Sequence, residues 1–307
     1  MSQYHTPVLL DESVSALIVD PKGTYADATF GGGGHTAAVL SRLHASGKVI
    51  AFDRDEDAIA EGQQRLSDPR LQLVRNNFRF IENYAALMGV RFDGVLADLG
   101  VSSHQFDTPE RGFSFRFEDA PLDMRMNAAA TETAADLINT ASPERLEQIL
   151  RLYGEVDGAG KMARLIVQAR EAEAIRTTGQ LDAALARMLP RGAEHKVLAK
   201  VYQALRIEVN QEMRALEKLL EGATRSLRVG GRLVVITYHS LEDRMVKNFI
   251  RSGNIEGREA KDPVSGQVLA PLSPVGRKPI LPSEEEIAGN TRARSAKLRV
   301  AEKVQED

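Results

Sequence analysis

Along the first hundred residues the apolar positions switch between two periods. Four stretches, 23–30 (GTYADATF), 48–53 (KVIAFD), 71–76 (LQLVRN) and 92–100 (FDGVLADLG), are short apolar runs that predict strands. Between them Ala37, Leu40 and Leu43, and then Ala58 to Leu66, follow helical spacing. Strand and helix alternating with short links build a parallel sheet with helices on both faces. After Ser103 this rhythm stops. From about 107 to 206 helical patterns dominate, among them SPERLEQILRLYG (142–154), with Ser142 as N-cap and Pro143 as first helical residue, and GAGKMARLIVQAREAEAI (158–175). A long helix through Val209, Met213, Leu216, Leu220, Ala223 and Leu227 is expected next, ending at Gly230 and Gly231 before an apolar strand, RLVVITY (232–238). The economical reading is an α/β sheet formed by 1–106 and 207–307, interrupted by a helical insertion over 107–206.

Ligands of such sheets bind at the carboxyl ends of the strands. There the stretch DATFGGGGHTAAVL (27–40) sets four glycines between a strand and a helix, giving up side-chain packing for close approach to the backbone. A loop for nucleoside triphosphates needs Lys and then Ser or Thr after its last glycine, whereas Gly34 is followed by His35 and Thr36. A dinucleotide loop needs glycine at its first, third and sixth positions, and the sixth counted from Gly31 is Thr36. None of the six tyrosines precedes a lysine by four, as a short-chain dehydrogenase would require. S-adenosylmethionine needs the close backbone approach without a phosphate cradle, together with an acidic residue at the end of the second strand for the ribose hydroxyls. Asp53 stands 20 residues after Gly33. Spacing alone leaves nicotinamide and adenosylmethionine cofactors both open, because each presents a ribose diol.

Composition narrows the classes. With 307 residues, 43 % hydrophobic and 27 % charged, the chain reads as a soluble globular protein with no membrane-length apolar run. The start, MSQYHTPVLLDESV, lacks a basic segment followed by an apolar one, so a cytoplasmic location without a secretory signal is expected. The net charge of −3 announces no global nucleic-acid field, and any such surface is a local patch. Cysteine is absent, which removes thiolate metal sites and cysteine nucleophiles. The six histidines show no paired ligand spacing, so no metal is expected. No oligomeric state is fixed by these residues, and a homodimer is compatible with them.

Several stretches together resemble one family: HTPVLLDE (5–12), DATFGGGGH (27–35), DLGVSS (98–103), ERGFSFRFEDAPLDMRM (110–126), GGRLVVITYHSLEDR (230–244) and NTRARSAKLRV (290–300). They look like the bacterial 16S rRNA cytosine-N4 methyltransferases over nearly the whole length and in the same order. The resemblance implies a Rossmann-like class I methyltransferase sheet with an inserted helical domain that recognises RNA. It also implies methyl transfer from S-adenosylmethionine to the exocyclic N4 of a decoding-region cytidine of 16S rRNA in the small ribosomal subunit. Carried over by position, Gly33, Gly34, His35, Asp53, Phe78, Asp98 and Gln105 would contact the cofactor. Backbone rather than ring is expected to matter at His35. The chain departs from the family in its four consecutive glycines, in VDGAG (156–160), and in Tyr238, where Phe is common.

The N4 amine of cytosine is a weak nucleophile, its lone pair delocalised into the ring, and in-line placement against a sulfonium leaving group supplies most of the acceleration. Asp98 takes the place of the polar residue that many amino-methyltransferases put after the fourth strand, and it is a candidate for the cofactor's amine, for the target amine in catalysis, or for both, the cofactor's amine being favoured. Tyr238, His239 and Ser240 are the candidate base contacts, Tyr238 by stacking and the other two by hydrogen bonds, against the plainer reading that Ser240 caps a following helix. Zero cysteines independently exclude methylation at cytosine C5, which requires a thiolate. Phe113, Phe115 and Phe117 alternate with polar residues and either stack on bases or pack the insertion onto the sheet. Arg292, Arg294, Lys297 and Arg299 form a basic cluster that reads as phosphate contacts or as solvated charge. A binding factor without turnover and a nicotinamide oxidoreductase are the alternative classes.

Overall fold

The computed structural model describes residues 7–117 and 119–306, without the side chains of residues 103 and 104. Its sheet has seven strands in the order β3-β2-β1-β4-β5-β7-β6. They are β1 (Thr24–Asp27), β2 (Lys48–Asp53), β3 (Leu71–Arg75), β4 (Phe92–Asp98), β5 (Leu227–Thr237), β6 (Leu272–Pro274) and β7 (Lys297–Lys303). The first five run parallel, while β7 lies antiparallel between β5 and β6. The sheet-forming half also carries α1 (Leu10–Leu17), α2 (Gly34–Arg42), α3 (Glu56–Arg65) and α4 (Ile81–Met88).

Both faces of the sheet are covered, and the period of two divides each strand between them. Ile50, Phe52, Val95, Ala97, Leu233 and Val235 join Ile81 and Ala85 of α4 on one face. Val49, Ala51, Leu96, Val234 and Ile236 join Val14 and Leu17 of α1 and Val39 and Leu40 of α2 on the other. Phe52 is fully buried, and burial of such a side chain contributes roughly 1.5–3 kcal/mol.

The chain divides into two compact units, one made of the described residues up to Gly100 with those from Met213 onward, the other of Val101–Glu212. The second unit carries α5 (Ser103–Asp107), α6 (Ala134–Thr140), α7 (Pro143–Gly154), α8 (Ala159–Ala172), α9 (Thr178–Leu185) and α10 (Glu194–Asn210). Among its described residues the only β-pairing is an isolated bridge between Pro121 and Thr177. Ser142 caps α7 by accepting from Arg145 N–H, with Pro143 in the first turn, as the sequence predicts.

Three elements differ from expectation. The long helix is two, because Gln211, in the left-handed region at φ 50°, separates α10 from α11 (Glu212–Ser226). Leu227, placed on that helix by spacing, already belongs to β5, and Gly230 and Gly231 lie inside the strand where the β4–β5 register shifts. Finally, β7 comes from a stretch read for its basic residues, and Leu298 and Val300 on it alternate inward and are buried; β6 pairs with it from a region in which no strand was expected. Helices α12 (Ser240–Ser252) and α13 (Glu284–Gly289) complete the first unit. No helix among the described residues is long and apolar enough to cross a membrane.

Candidate active site

Carboxylates end three adjacent parallel strands: Asp27 on β1, Asp53 on β2 and Asp98 on β4. The glycine turn is hung from the neighbouring strands, with Ala28 N–H donating to Leu96 O, Phe30 N–H to Phe52 O and Gly31 N–H to Asp53 Oδ2 at 2.8 Å. The other Asp53 oxygen accepts Asp55 N–H at 2.8 Å. Each oxygen keeps lone-pair capacity for a further donor. Burial pushes the Asp53 carboxyl up, against the pull of those two amide donors.

Glycine is required at the turn for two separate reasons. Gly33 is the N-cap of α2 at φ 73°, a conformation costly for a residue with a Cβ. A Cβ on Gly34 would stand 2.2 Å from Pro7 Cγ. The cap carries no side chain to occupy the first amides of α2, and no acidic residue lies in that turn, so this helix start is open to an anionic group.

His35 is 5 % exposed, and its ring makes contacts of its own. Nε2 donates to Val8 O at 3.1 Å, a carbonyl being unable to donate, and Nδ1 lies 3.8 Å from Asp98 Oδ2. Thr36 Oγ donates to the buried Asp27 at 2.6 Å, and Thr29 N–H donates to its other oxygen at 3.1 Å. Asp27 escaped the sequence reading, although its place at the end of β1, just before the glycines, was the available signal.

Asp98 receives the Tyr238 hydroxyl on Oδ1 at 2.7 Å, while its own N–H donates to Thr29 Oγ at 2.7 Å. Burial pushes its carboxyl up to about 6; His35 and the Tyr238 hydrogen bond pull down, and Asp27 and Glu242 push up. Gly33, Gly34, His35, Asp53, Asp98 and Tyr238 thus gather at the carboxyl ends of β1, β2, β4 and β5. Phe78 follows β3 on a short 3-10 turn, half-buried and packed against the apolar cluster of the first unit. Gln105 lies in the other unit on α5, buried, with its N–H donating to Ser102 Oγ at 3.2 Å.

After β5 the helix cap falls one residue earlier than the cap reading of the sequence placed it. His239, not Ser240, caps α12, accepting Glu242 N–H on Nδ1 while Glu242 reaches back to the cap. The His239 side chain is 8 % exposed with Nε2 3.1 Å from Glu242 Oε1, and Ser240 is the exposed first residue of the helix. The C-terminal basic cluster is also no continuous patch. Lys297 and Arg299 both pair with Asp243 of α12, at 3.2 and 2.7 Å, whereas Arg294 is exposed. Phe113 is buried in the core of the helical unit, and Phe115 meets Tyr202 edge-on at 5.5 Å between ring centroids. These rings pack within that unit's own core.

Against known proteins the whole length finds matches. The ribosomal RNA small subunit methyltransferase H of Bacteroides fragilis (strain YCH46) is 53 % identical over 301 residues, covering 98 % of this chain and 97 % of that protein. The protein of that name from Parabacteroides distasonis is 50 % identical over 305 residues, 99 % of this chain and 98 % of its own. That of Flavobacterium johnsoniae is 49 % identical over 303 residues, 98 % of each. A family model described as the MraW methylase family matches residues 2–304, and the chain belongs to that family.

Proposed function

We propose that this chain methylates the exocyclic N4 of a cytidine in the decoding region of 16S rRNA, with S-adenosylmethionine as donor, acting on the small ribosomal subunit. The observation that carries the reading is the set of carboxylates at the ends of β1, β2 and β4, Asp27 buried and Asp53 and Asp98 partly buried, around a helix start with no side-chain cap. Such a field suits a ligand that joins a cation to an amino-acid carboxylate and a ribose. In this reading Asp53 accepts from the ribose diol, the first amides of α2 receive the carboxylate, and Asp98 in its ionised form accepts from the ammonium. Gly33 and Gly34 keep the backbone low enough for that approach, and Phe78 offers an apolar face beside it. The cofactor, when bound, supplies a methyl group on a sulfonium, an electrophile that needs no metal and no covalent intermediate on the protein.

What is left to the protein is orientation. A cytosine amine reacts when an acceptor holds its N–H groups so that the lone pair faces the methyl carbon. Asp98 is the carboxylate nearest the end of β4 for that role. The helical unit is assigned to RNA recognition. The relatives' printed name, which specifies the RNA of the small subunit, supports the substrate class.

The test incubates the purified chain with methyl-labelled S-adenosylmethionine and small subunits lacking the modification, then digests the RNA to nucleosides for mass spectrometry. Label in N4-methylcytidine is the expected outcome. Cofactor binding without label in any nucleoside would overturn the catalytic reading in favour of a binding factor, and no binding of the cofactor would overturn both.

A further inference from the structure

Beyond β5 the chain sets a hydroxyl against the carboxylate on which the proposed cofactor contact depends. Tyr238 is fixed from two sides. Its N–H donates to Glu242 Oε2 at 2.9 Å, and that carboxylate, 3 % exposed, also accepts His239 N–H at 3.3 Å, which pins the 238–239 backbone to the head of α12. Its ring lies beside Gly100, where an added Cβ would stand 3.2 Å from the ring, and its hydroxyl reaches Asp98 Oδ1 at 2.7 Å. The geometry points to Tyr238 as a positioning residue for Asp98, whose hydroxyl orients the carboxylate and holds it in the ionised form that a cationic amine requires. The inference rests on the cofactor reading above.

Four side chains act on the charge of the Asp98 carboxylate: His35 of α2, Asp27 of β1, Glu242 of α12, and Tyr238 in the link between β5 and α12. Asp27 and Glu242 repel its charge. His35 Nδ1, at 3.8 Å, attracts it from beyond hydrogen-bond range. Among the described residues Tyr238 is therefore the side chain that hydrogen-bonds this carboxylate. The phenol is suited to that task because burial, and then Asp98 itself, push its own ionisation well above the ordinary range, so it keeps its proton and can only donate to a carboxylate. A phenylalanine would fill the same volume beside Gly100 and leave the Asp98 oxygen with no donor.

Tyr238→Phe in the full-length chain separates this role from packing. S-adenosylmethionine affinity is measured by calorimetry across the range from about pH 5 to about pH 8.5, and the Asp98 carboxyl of the free protein is titrated by carbon NMR. Hydrogen bonds to charged groups are strong enough that their loss moves a carboxyl by about one pH unit. The expected result is that both the affinity midpoint and the Asp98 titration move up by about that amount, so binding weakens about two-fold at pH 7, several-fold near pH 6 and little at alkaline pH. In an Asp98→Asn background the same substitution no longer moves the midpoint, since the group on which the hydroxyl acts no longer titrates. Superimposable profiles, or weakening by an equal factor at every pH with the Asp98 titration unchanged, would overturn the inference. Should the wild-type chain fail to bind the cofactor, the cofactor reading falls, while the NMR titration still decides what Tyr238 does to Asp98.

Discussion

In the proposed reading Asp98 serves a ligand at the expense of the fold. Its carboxyl titrates at about 6 in the folded chain against an ordinary 3.8, so between those values the native state holds a proton that the unfolded chain has released. Stability is then lost as pH rises through about 6, and at neutral pH the ionised group costs at most about 3 kcal/mol, less what its 23 % exposure screens. Asp98→Asn, which still accepts from Tyr238, is expected to raise the melting temperature of the cofactor-free protein by about 2–4 °C above pH 7 and to leave it unchanged below about pH 3.5. Scanning calorimetry at the two pH values checks this. Asp53→Ala removes the proposed diol acceptor, and a loss of roughly 10- to 100-fold in S-adenosylmethionine affinity is expected; near-unchanged binding by calorimetry would remove Asp53 from the ribose. The residues that were legible here are those with a positional rule behind them: glycines at a strand end, and an acid at the end of the next strand. The ring of His35 and the pairing of Tyr238 with Asp98 were not, because both depend on which strands become neighbours, a fact held by contacts across 63 and 140 positions of chain.

Among the elements, the division of one expected helix into α10 and α11 has a local cause. Asn210 ends α10 with its side chain turned inward, accepting Met126 N–H at 2.8 Å and donating to Met124 O at 2.7 Å, while Gln211 takes the left-handed conformation. The apolar spacing runs through this point without interruption, so periodicity alone could not see it. Gln211→Gly relieves a conformation that costs a side-chain-bearing residue on the order of 1 kcal/mol, and a comparable gain in unfolding free energy by denaturant titration is expected. Asn210→Ala leaves the Met126 amide buried without its acceptor and is expected to cost about 1–3 kcal/mol in the same assay. The strand β7 was missed for the opposite reason. Its lysines and arginines drew attention as charge, yet alternate residues face the core and Asp243 absorbs two of the cations.

At the scale of the whole molecule, the sheet and the insertion each own a core. The buried cluster of the helical unit, from Phe113 to Leu205, is confined to residues of that unit, whereas the clusters on the two faces of the sheet draw on both flanking segments. A fragment of residues 101–212 is therefore expected to show a helical circular-dichroism spectrum and a cooperative melt, while residues 1–100 alone, lacking the β5 neighbour of β4, are expected not to fold. A non-cooperative melt of the first fragment would show that its core depends on the rest of the chain. Alternation of strands and helices stops in the sequence after Ser103, whereas the compact units divide at Gly100 and Glu212, limits that follow from packing that no local pattern records. The acids at the ends of β1 and β4, one buried and one partly so, also carry a lesson for anyone breeding a hardier version of the protein. A library screened for survival of heating without its small-molecule partner would enrich neutral replacements of those acids first, and each round of selection would draw the population further from chemistry.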